Sequence, residues 1–197
     1  MNEKKWIKKQ AEVYSTRGFD EPDRLIKNLG IKTEKRFEAL IRIIDQFEGG
    51  RVIEMLDAGC ASGAISRYIT KRYDKVKTDL ADLPTVIDKI EEFTENKYPL
   101  DFNKEFPNKK YDIIYATEMI EHLYNDWFFI KNCYNHLNDE GYLIITAPME
   151  CGNFTNPENL HIRAYPGKML EELLQVAGFT IEESWVEGKG KRVVARK

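Results

Sequence analysis

From residue 51 onward, short apolar runs alternate with stretches in which apolar residues recur every three or four positions. Residues 52–56 are broken only by Glu54 and read as a core strand; Ile65, Tyr68, Ile69 and Tyr73 then follow at helical spacing. A second strand is expected at 75–78 with Asp79 at its end, followed by a helix over "LPTVIDKIEEFT" that starts near Pro84. "YPLDF" at 98–102 reads as a third strand, "YDIIYA" at 111–116 as a fourth, 126–137 as a helix and "GYLIITAP" at 141–148 as a fifth strand. "PGKMLEELLQVAGF" at 166–179 is expected to be a helix running into the strand "FTIEESWV", and "KRVVARK" a final strand. Strands this apolar do not suit a half-exposed sheet, so the alternation predicts a mostly parallel sheet with helices on both faces. Only "EGKG" separates the last two strands. That is too short for a helical crossover, which makes the pair an antiparallel hairpin at the C-terminal edge.

The first 50 residues follow another pattern. Trp6, Ile7, Gln10, Ala11 and Tyr14 form a short amphipathic stretch that "STRGFDEPDR" interrupts with glycine and proline. A longer helix is expected next, with Phe37, Leu40, Ile41, Ile44 and Phe47 on its buried side and Gly49 and Gly50 closing it. The reading is a helical cap at 1–50 over a main domain at 51–197, with 42% hydrophobic residues to furnish the core.

Charge and cysteine content narrow the class. A formal net charge of −3 gives no general electrostatic reason to bind a nucleic-acid backbone. Residues 112–150 hold seven acidic residues against Lys131 alone, which disfavours a polyanionic substrate if they line the site. The three cysteines (Cys60, Cys133 and Cys151) are widely spaced with no CxxC pair, as expected of free thiols in a reducing compartment. No run approaches the roughly 18 apolar residues of a membrane span, and "MNEKKWIKKQ" has no apolar segment after its charges. A cytoplasmic protein, monomeric or homodimeric, is expected.

The densest information lies in "MLDAGCASGAISRYI" at 55–69. A strand turns directly into a helix there, with Asp57 at the strand's end and Gly59 and Gly63 bracketing a turn where the backbone bends sharply or approaches a ligand. With "KTDLAD" at 77–82, "YPLDF", "YDIIYATEMIEHL" at 111–123, "LNDEGYLIITAP" at 137–148 and "HIRAYPGKMLEELLQVAGF" at 161–179, the chain resembles the S-adenosylmethionine-dependent methyltransferases over about 150 residues. The resemblance implies a Rossmann-like, doubly wound, seven-stranded sheet, with S-adenosylmethionine as methyl donor and S-adenosylhomocysteine as product.

The resemblance also implies residue roles. Asp57, Gly59, Cys60, Ala61 and Gly63 correspond to the glycine-rich cofactor turn, with Ala61 where the family usually has a third glycine. Asp79 would accept hydrogen bonds from the ribose hydroxyls, and Asp101 would hold the adenine amine. Leu80 and Phe102 would contact the adenine ring, and Thr117 would lie near the methionine end. The methyl sulfonium is already activated, so the protein must chiefly align an acceptor and exclude water.

"EMIEHL" places Glu118, Glu121 and His122 just after the fourth strand. His122, with Glu121 beside it, is expected to take a proton from a phenol, hydroxyl or amine near neutral pH. Adding His161 gives a set, Glu118, Glu121, His122 and His161, that resembles the metal site of methyltransferases acting on the 2′-hydroxyl of small-RNA termini. Such a site would hold a divalent ion. The distinctive sequence around that family's second histidine is absent, and metal-free catalysis is the expectation. Tyr14, Phe19, Asn153, Phe154, His161 and Arg163 are expected to line the acceptor pocket. The functional reading is methylation of an oxygen or nitrogen of a small molecule. The alternatives are a metal-assisted RNA 2′-O-methyltransferase and a non-catalytic S-adenosylmethionine-binding module.

Overall fold

The computed structural model describes residues 5, 8–9, 38–47, 50–91, 93–94, 96–150 and 160–197. Helix α1 (Glu38–Gln46) is followed by β1 (Ile53–Ala58), α2 (Ala64–Arg72), β2 (Val76–Asp82), a single turn α3 (Pro84–Ile87), β3 (Asn96–Pro99) and β4 (Tyr111–Thr117). A 3₁₀ turn (Ile120–His122) then leads to α4 (Asp126–His136), β5 (Leu137–Pro148), α5 (Met169–Ala177), β6 (Thr180–Glu187) and β7 (Gly190–Arg196).

The seven strands form one sheet in the order β3-β2-β1-β4-β5-β7-β6. The first five run parallel, and β7 lies antiparallel to both β5 and β6. The expected C-terminal hairpin is present, with its second strand turned inward against β5 and its first strand at the edge.

Both faces of the sheet are covered. Leu40, Ile43 and Ile44 of α1 and Ile69 of α2 pack with Met55, Ile113, Tyr115, Ile144 and Val194 on one face. Phe129, Ile130 and Cys133 of α4 and Leu170 and Leu174 of α5 cover Leu56, Ile114, Ile145 and Val193 on the other. A smaller cluster of Cys60, Leu80, Ile87 and Ile90 lies beside the β1–α2 turn.

Two expectations are corrected. Strand β2 does not end at Asp79 but runs on to Asp82, because Thr78, Asp79, Leu80 and Ala81 are all buried and a strand covered on both faces carries no alternation to mark its end. The helix expected over "LPTVIDKIEEFT" is one turn, Pro84–Ile87. The β-branched run Thr85, Val86 and Ile87 favours helix weakly, and Ile87 and Ile90 instead drop into the small cluster with Leu80.

At the amino ends of the strands, the buried Asp112 carboxylate accepts from both guanidinium nitrogens of Arg51 (3.0 and 3.1 Å), from the Glu54 N–H (2.9 Å) and from Asn138 Nδ2 (2.8 Å). Burial alone would raise its pKa. Arg51, the Glu54 N–H and Asn138 outweigh that and hold it below the ordinary carboxylate value. This one side chain ties β1, β4 and β5 together. Asp112→Ala is expected to cost roughly 2–3 kcal/mol in urea denaturation, because it strands a backbone N–H and an amide. The wild type should lose this contribution as pH falls through the depressed native pKa, and the variant should lack that acid-limb loss.

Candidate active site

Because the sheet interior is apolar, polar groups gather where the parallel strands end. Strand β1 delivers Asp57, which is buried and accepts a 2.7 Å hydrogen bond from Ser66 Oγ in α2. The turn between them is left-handed at three positions, with φ of 73° at Gly59, 48° at Ala61 and 69° at Gly63. A Cβ on Gly59 would lie 2.4 Å from Met119 Cγ, and one on Gly63 would lie 3.0 Å from Phe93 Cζ. Glycine at 59 is therefore required both by its dihedral angle and by the methionine packed against it. Ala61 holds an αL conformation that L-residues disfavour. Its N–H is fixed at 2.9 Å by Asp82 Oδ2.

Asp82 is the residue the sequence reading missed. It ends β2, accepts from Ala61 N–H through one oxygen and from Leu83 N–H (2.7 Å) through the other, and so braces the glycine turn from the neighbouring strand. Burial raises its pKa to about 6 against the pull of those two hydrogen bonds. The signal lay in "ADLP": a proline at the first helical position places the strand's end just before it.

Asp79, expected at this edge, lies within β2. It receives hydrogen bonds from Asn96 Nδ2 (2.9 Å), Lys109 Nζ (2.9 Å) and the Tyr111 hydroxyl (3.1 Å), and Lys109 also reaches Glu54 at 2.8 Å. Leu80 and Phe102 sit in the core; Leu80 joins the small cluster, and Phe102 packs edge-on against Phe106 and Phe129 at 5.5 and 5.2 Å. Cys60 is buried beside Leu80, which pushes its thiol pKa well up.

Asp101 follows β3. Its Oδ1 accepts from the backbone N–H (3.0 Å) and side-chain amide (2.8 Å) of Asn103. Among the described residues, its buried Oδ2 has no hydrogen-bond partner. Such an orphaned acceptor costs about 1–3 kcal/mol unless something donates to it. An adenine amine would do so. The residues present thus fit a nucleoside-bearing methyl donor: a turn of close-approaching backbone, a carboxylate at the end of β2 and an unsatisfied carboxylate oxygen after β3.

Beyond β4 the chain reverses at Glu118 (φ 50°), whose N–H and Oε1 both engage Thr146 Oγ1, at 3.1 and 2.9 Å. Thr117 is the last residue of β4 and pairs with Thr146 of β5. Glu121 follows in the 3₁₀ turn. It is fully buried, and among the described residues neither carboxylate oxygen has a hydrogen-bond partner. Burial, with a smaller push from Glu118, raises its pKa to about 8.

His122 Nδ1 lies 2.9 Å from the Leu160 carbonyl, which fixes the ring so that Nε2 lies 3.7 Å from Glu121 Oε1. His161 Nε2 lies 3.7 Å from the same oxygen, and the two imidazoles meet edge to face with centroids 4.9 Å apart. Burial lowers the pKa of His161 while Glu118 opposes it.

Arg163 is engaged within the fold. Its guanidinium pairs with Asp126 and donates to the Tyr124 carbonyl (3.2 Å), and Tyr165 donates to the same Asp126 oxygen at 2.9 Å. Tyr14, Phe19, Asn153 and Phe154 lie outside the described residues.

One pH effect follows from this edge. Burial raises Asp57 to about 7, with the Ser66 hydrogen bond opposing the shift. A carboxyl with a raised native pKa binds its proton more tightly when folded, so its contribution to stability is present below the ordinary aspartate value and is lost as pH rises toward 7. In the cofactor-free protein, Asp57→Asn should therefore gain stability relative to wild type between pH 4 and 7, by at most about 4 kcal/mol, in denaturant titrations across that range.

Comparison with known proteins places the chain in a family. A family model described as a methyltransferase domain matches residues 33–184. A probable S-adenosylmethionine-dependent methyltransferase of Mycolicibacterium smegmatis is 28% identical over 82 residues, which are 40% of this chain and 32% of that protein, so the match spans about a third of that relative's length. Among solved structures, the N-methyltransferase NodS of Bradyrhizobium japonicum, in complex with S-adenosylhomocysteine, superposes with a TM-score of 0.68 at 18% identity, covering 95% of this chain and 96% of that one. TehB of Haemophilus influenzae gives 0.66 at 19%, covering 81% and 62%. An O-methyltransferase family protein of Burkholderia thailandensis gives 0.60 at 12%, covering 84% and 57%. At these identities the structural likenesses establish the fold. The family match spans most of the chain, and the chain belongs to the S-adenosylmethionine-dependent methyltransferase family with a Rossmann-like fold.

Proposed function

We propose that the protein transfers a methyl group from S-adenosylmethionine to an oxygen or nitrogen of a small molecule. The observation that carries the donor half is the orphaned Asp101 Oδ2 on the same strand-end edge as Asp82 and the left-handed turn at 59–63. Asp82, rather than Asp79, is assigned to the ribose hydroxyls. It ends its strand beside the turn, whereas Asp79 already accepts from Asn96, Lys109 and Tyr111. Asp101 would accept from the adenine amine. Bound there, S-adenosylmethionine would supply an activated methyl group whose bonding pair stays on sulfur as the neutral thioether, and the acceptor atom's proton would pass to solvent. The chain's part is to hold donor and acceptor in line and keep water out. The acceptor side is assigned to the Glu121, His122 and His161 cluster. The acidic surroundings and the fold shared with an N-methyltransferase and an O-methyltransferase family protein support a small acceptor at either atom.

Calorimetry should show binding of both S-adenosylmethionine and S-adenosylhomocysteine. Asp82→Ala should weaken either ligand at least about tenfold, since a hydrogen bond to a charged group contributes about 1.5–3 kcal/mol. Asp79→Asn should lower thermal stability with a smaller change in affinity. Equal losses in both variants would return the ribose role to Asp79. With radiolabelled donor offered to metabolite, RNA and protein pools, label should enter the small-molecule fraction. Labelling confined to RNA would overturn the choice of acceptor.

A further inference from the structure

We infer that Glu121, His122 and His161 form a binding site for a divalent first-row transition-metal ion. The three residues come from two separated segments, the turn after β4 and the chain that returns toward α5. Each offers one donor atom, and the three atoms lie within 4.8 Å of one another. Glu121 Oε1 stands 3.7 Å from each Nε2. Around a tetrahedral ion with bonds of about 2.0–2.1 Å, donor atoms are about 3.3 Å apart; the two carboxylate–imidazole edges need a contraction of a few tenths of an ångström, and the separation between the two imidazole donors, within 4.8 Å, closes by rotation of the half-buried His161 ring.

Two further observations point to a cation. A fully buried carboxylate with neither oxygen hydrogen-bonded, among the described residues, is costly without a positive partner. His122 is held through Nδ1 by the Leu160 carbonyl, an arrangement that fixes the tautomer and turns Nε2 toward an ion. The histidine-bearing segment is itself stitched in place: the Ile162 N–H bonds the Glu121 carbonyl at 2.9 Å, and Arg163 and Tyr165 share Asp126. Glu118, exposed and close enough to act electrostatically on both Glu121 and His161, adds negative field at the open side.

Two imidazoles and one carboxylate suit Zn²⁺, Co²⁺ or Mn²⁺ better than Ca²⁺, and three protein ligands leave a coordination position open. The binding stands on this geometry alone. The role given to the ion, lowering the pKa of an acceptor hydroxyl beside the donor methyl, rests on the function proposed above. The sequence by itself favours His122 as a metal-free base. The convergence of His161 on Glu121, whose oxygens have no hydrogen-bond partner among the described residues, makes His122 a ligand instead.

The 197-residue chain, stripped with a chelator and exchanged into metal-free buffer, would be titrated with Co²⁺ by visible absorption and with Zn²⁺ by calorimetry. One equivalent should bind, with d–d bands typical of a four- or five-coordinate site. Glu121→Gln, which keeps the side chain's shape, and His161→Ala should each weaken binding at least about tenfold. The third histidine, His136, has its Nδ1 at the Asn132 carbonyl and stacks on Phe106 away from this cluster. His136→Gln should leave binding unchanged. Absence of stoichiometric binding in folded wild type, or wild-type affinity in the Glu121→Gln, His161→Ala double variant, overturns the site. Asp82→Ala separates the two readings: it should lose donor binding and keep the metal. Metal binding without donor binding in wild type would support the ion site and reject the proposed function, and the converse would reject the ion site alone.

Discussion

Every strand of the central parallel region is buried on both faces, and this constraint organises the rest of the molecule. A sheet sandwiched between helix layers offers polar groups water or a ligand only where its strands end. The two ends are used differently. At the amino ends, Asp112 is saturated by Arg51, the Glu54 N–H and Asn138, which closes that edge. At the carboxyl ends, Asp101 and Glu121 keep carboxylate oxygens without donors among the described residues. The difference in hydrogen-bond satisfaction separates the scaffold edge from the candidate site.

The carboxyl edge is held in a costly conformation. Three left-handed residues in five, one of them an alanine, persist because Asp57 anchors α2 through Ser66 and Asp82 grips the Ala61 N–H from the next strand. Both carboxyls are pushed upward in pKa by burial, so the turn is stabilised at the expense of their ionisation. Such strain concentrates where backbone must be presented to a ligand. Met119, which fills the space a Gly59 side chain would need, joins this turn to the loop after β4. The glycine turn and the segment that carries Glu121 and His122 are thereby in direct contact.

The Glu121, His122 and His161 cluster depends on Asp126, at the start of α4. By pairing with Arg163 and accepting from Tyr165 it holds the returning segment against the 3₁₀ turn, and the Tyr165 N–H bonds the Pro148 carbonyl at 2.9 Å at the end of β5. Those contacts bring His161 to a point 3.7 Å from Glu121, which lies 40 positions earlier. Arg163 therefore anchors the segment that carries His161.

The sequence by itself determined the class of fold and much of the site's composition. Strand and helix rhythms, the "EGKG" connection and the glycines after β1 are local signals, written in spacing and in the dihedral freedom of single residues. They foretold the parallel sheet, its antiparallel hairpin and the segments that carry Asp57, Asp101, Glu121 and His122. What they did not carry was depth. In a strand covered on both faces, Asp79 and Asp82 look alike in sequence. Only the register of β2 against β1 and β3 puts Asp79 among Asn96, Lys109 and Tyr111 and leaves Asp82 at the edge. Likewise, no spacing shows that Glu121 lacks hydrogen-bond donors among the described residues while two imidazoles face it, or that Arg163 is occupied by Asp126. Those facts depend on burial and on contacts between segments far apart in the chain, and these exist only once the chain has closed on itself.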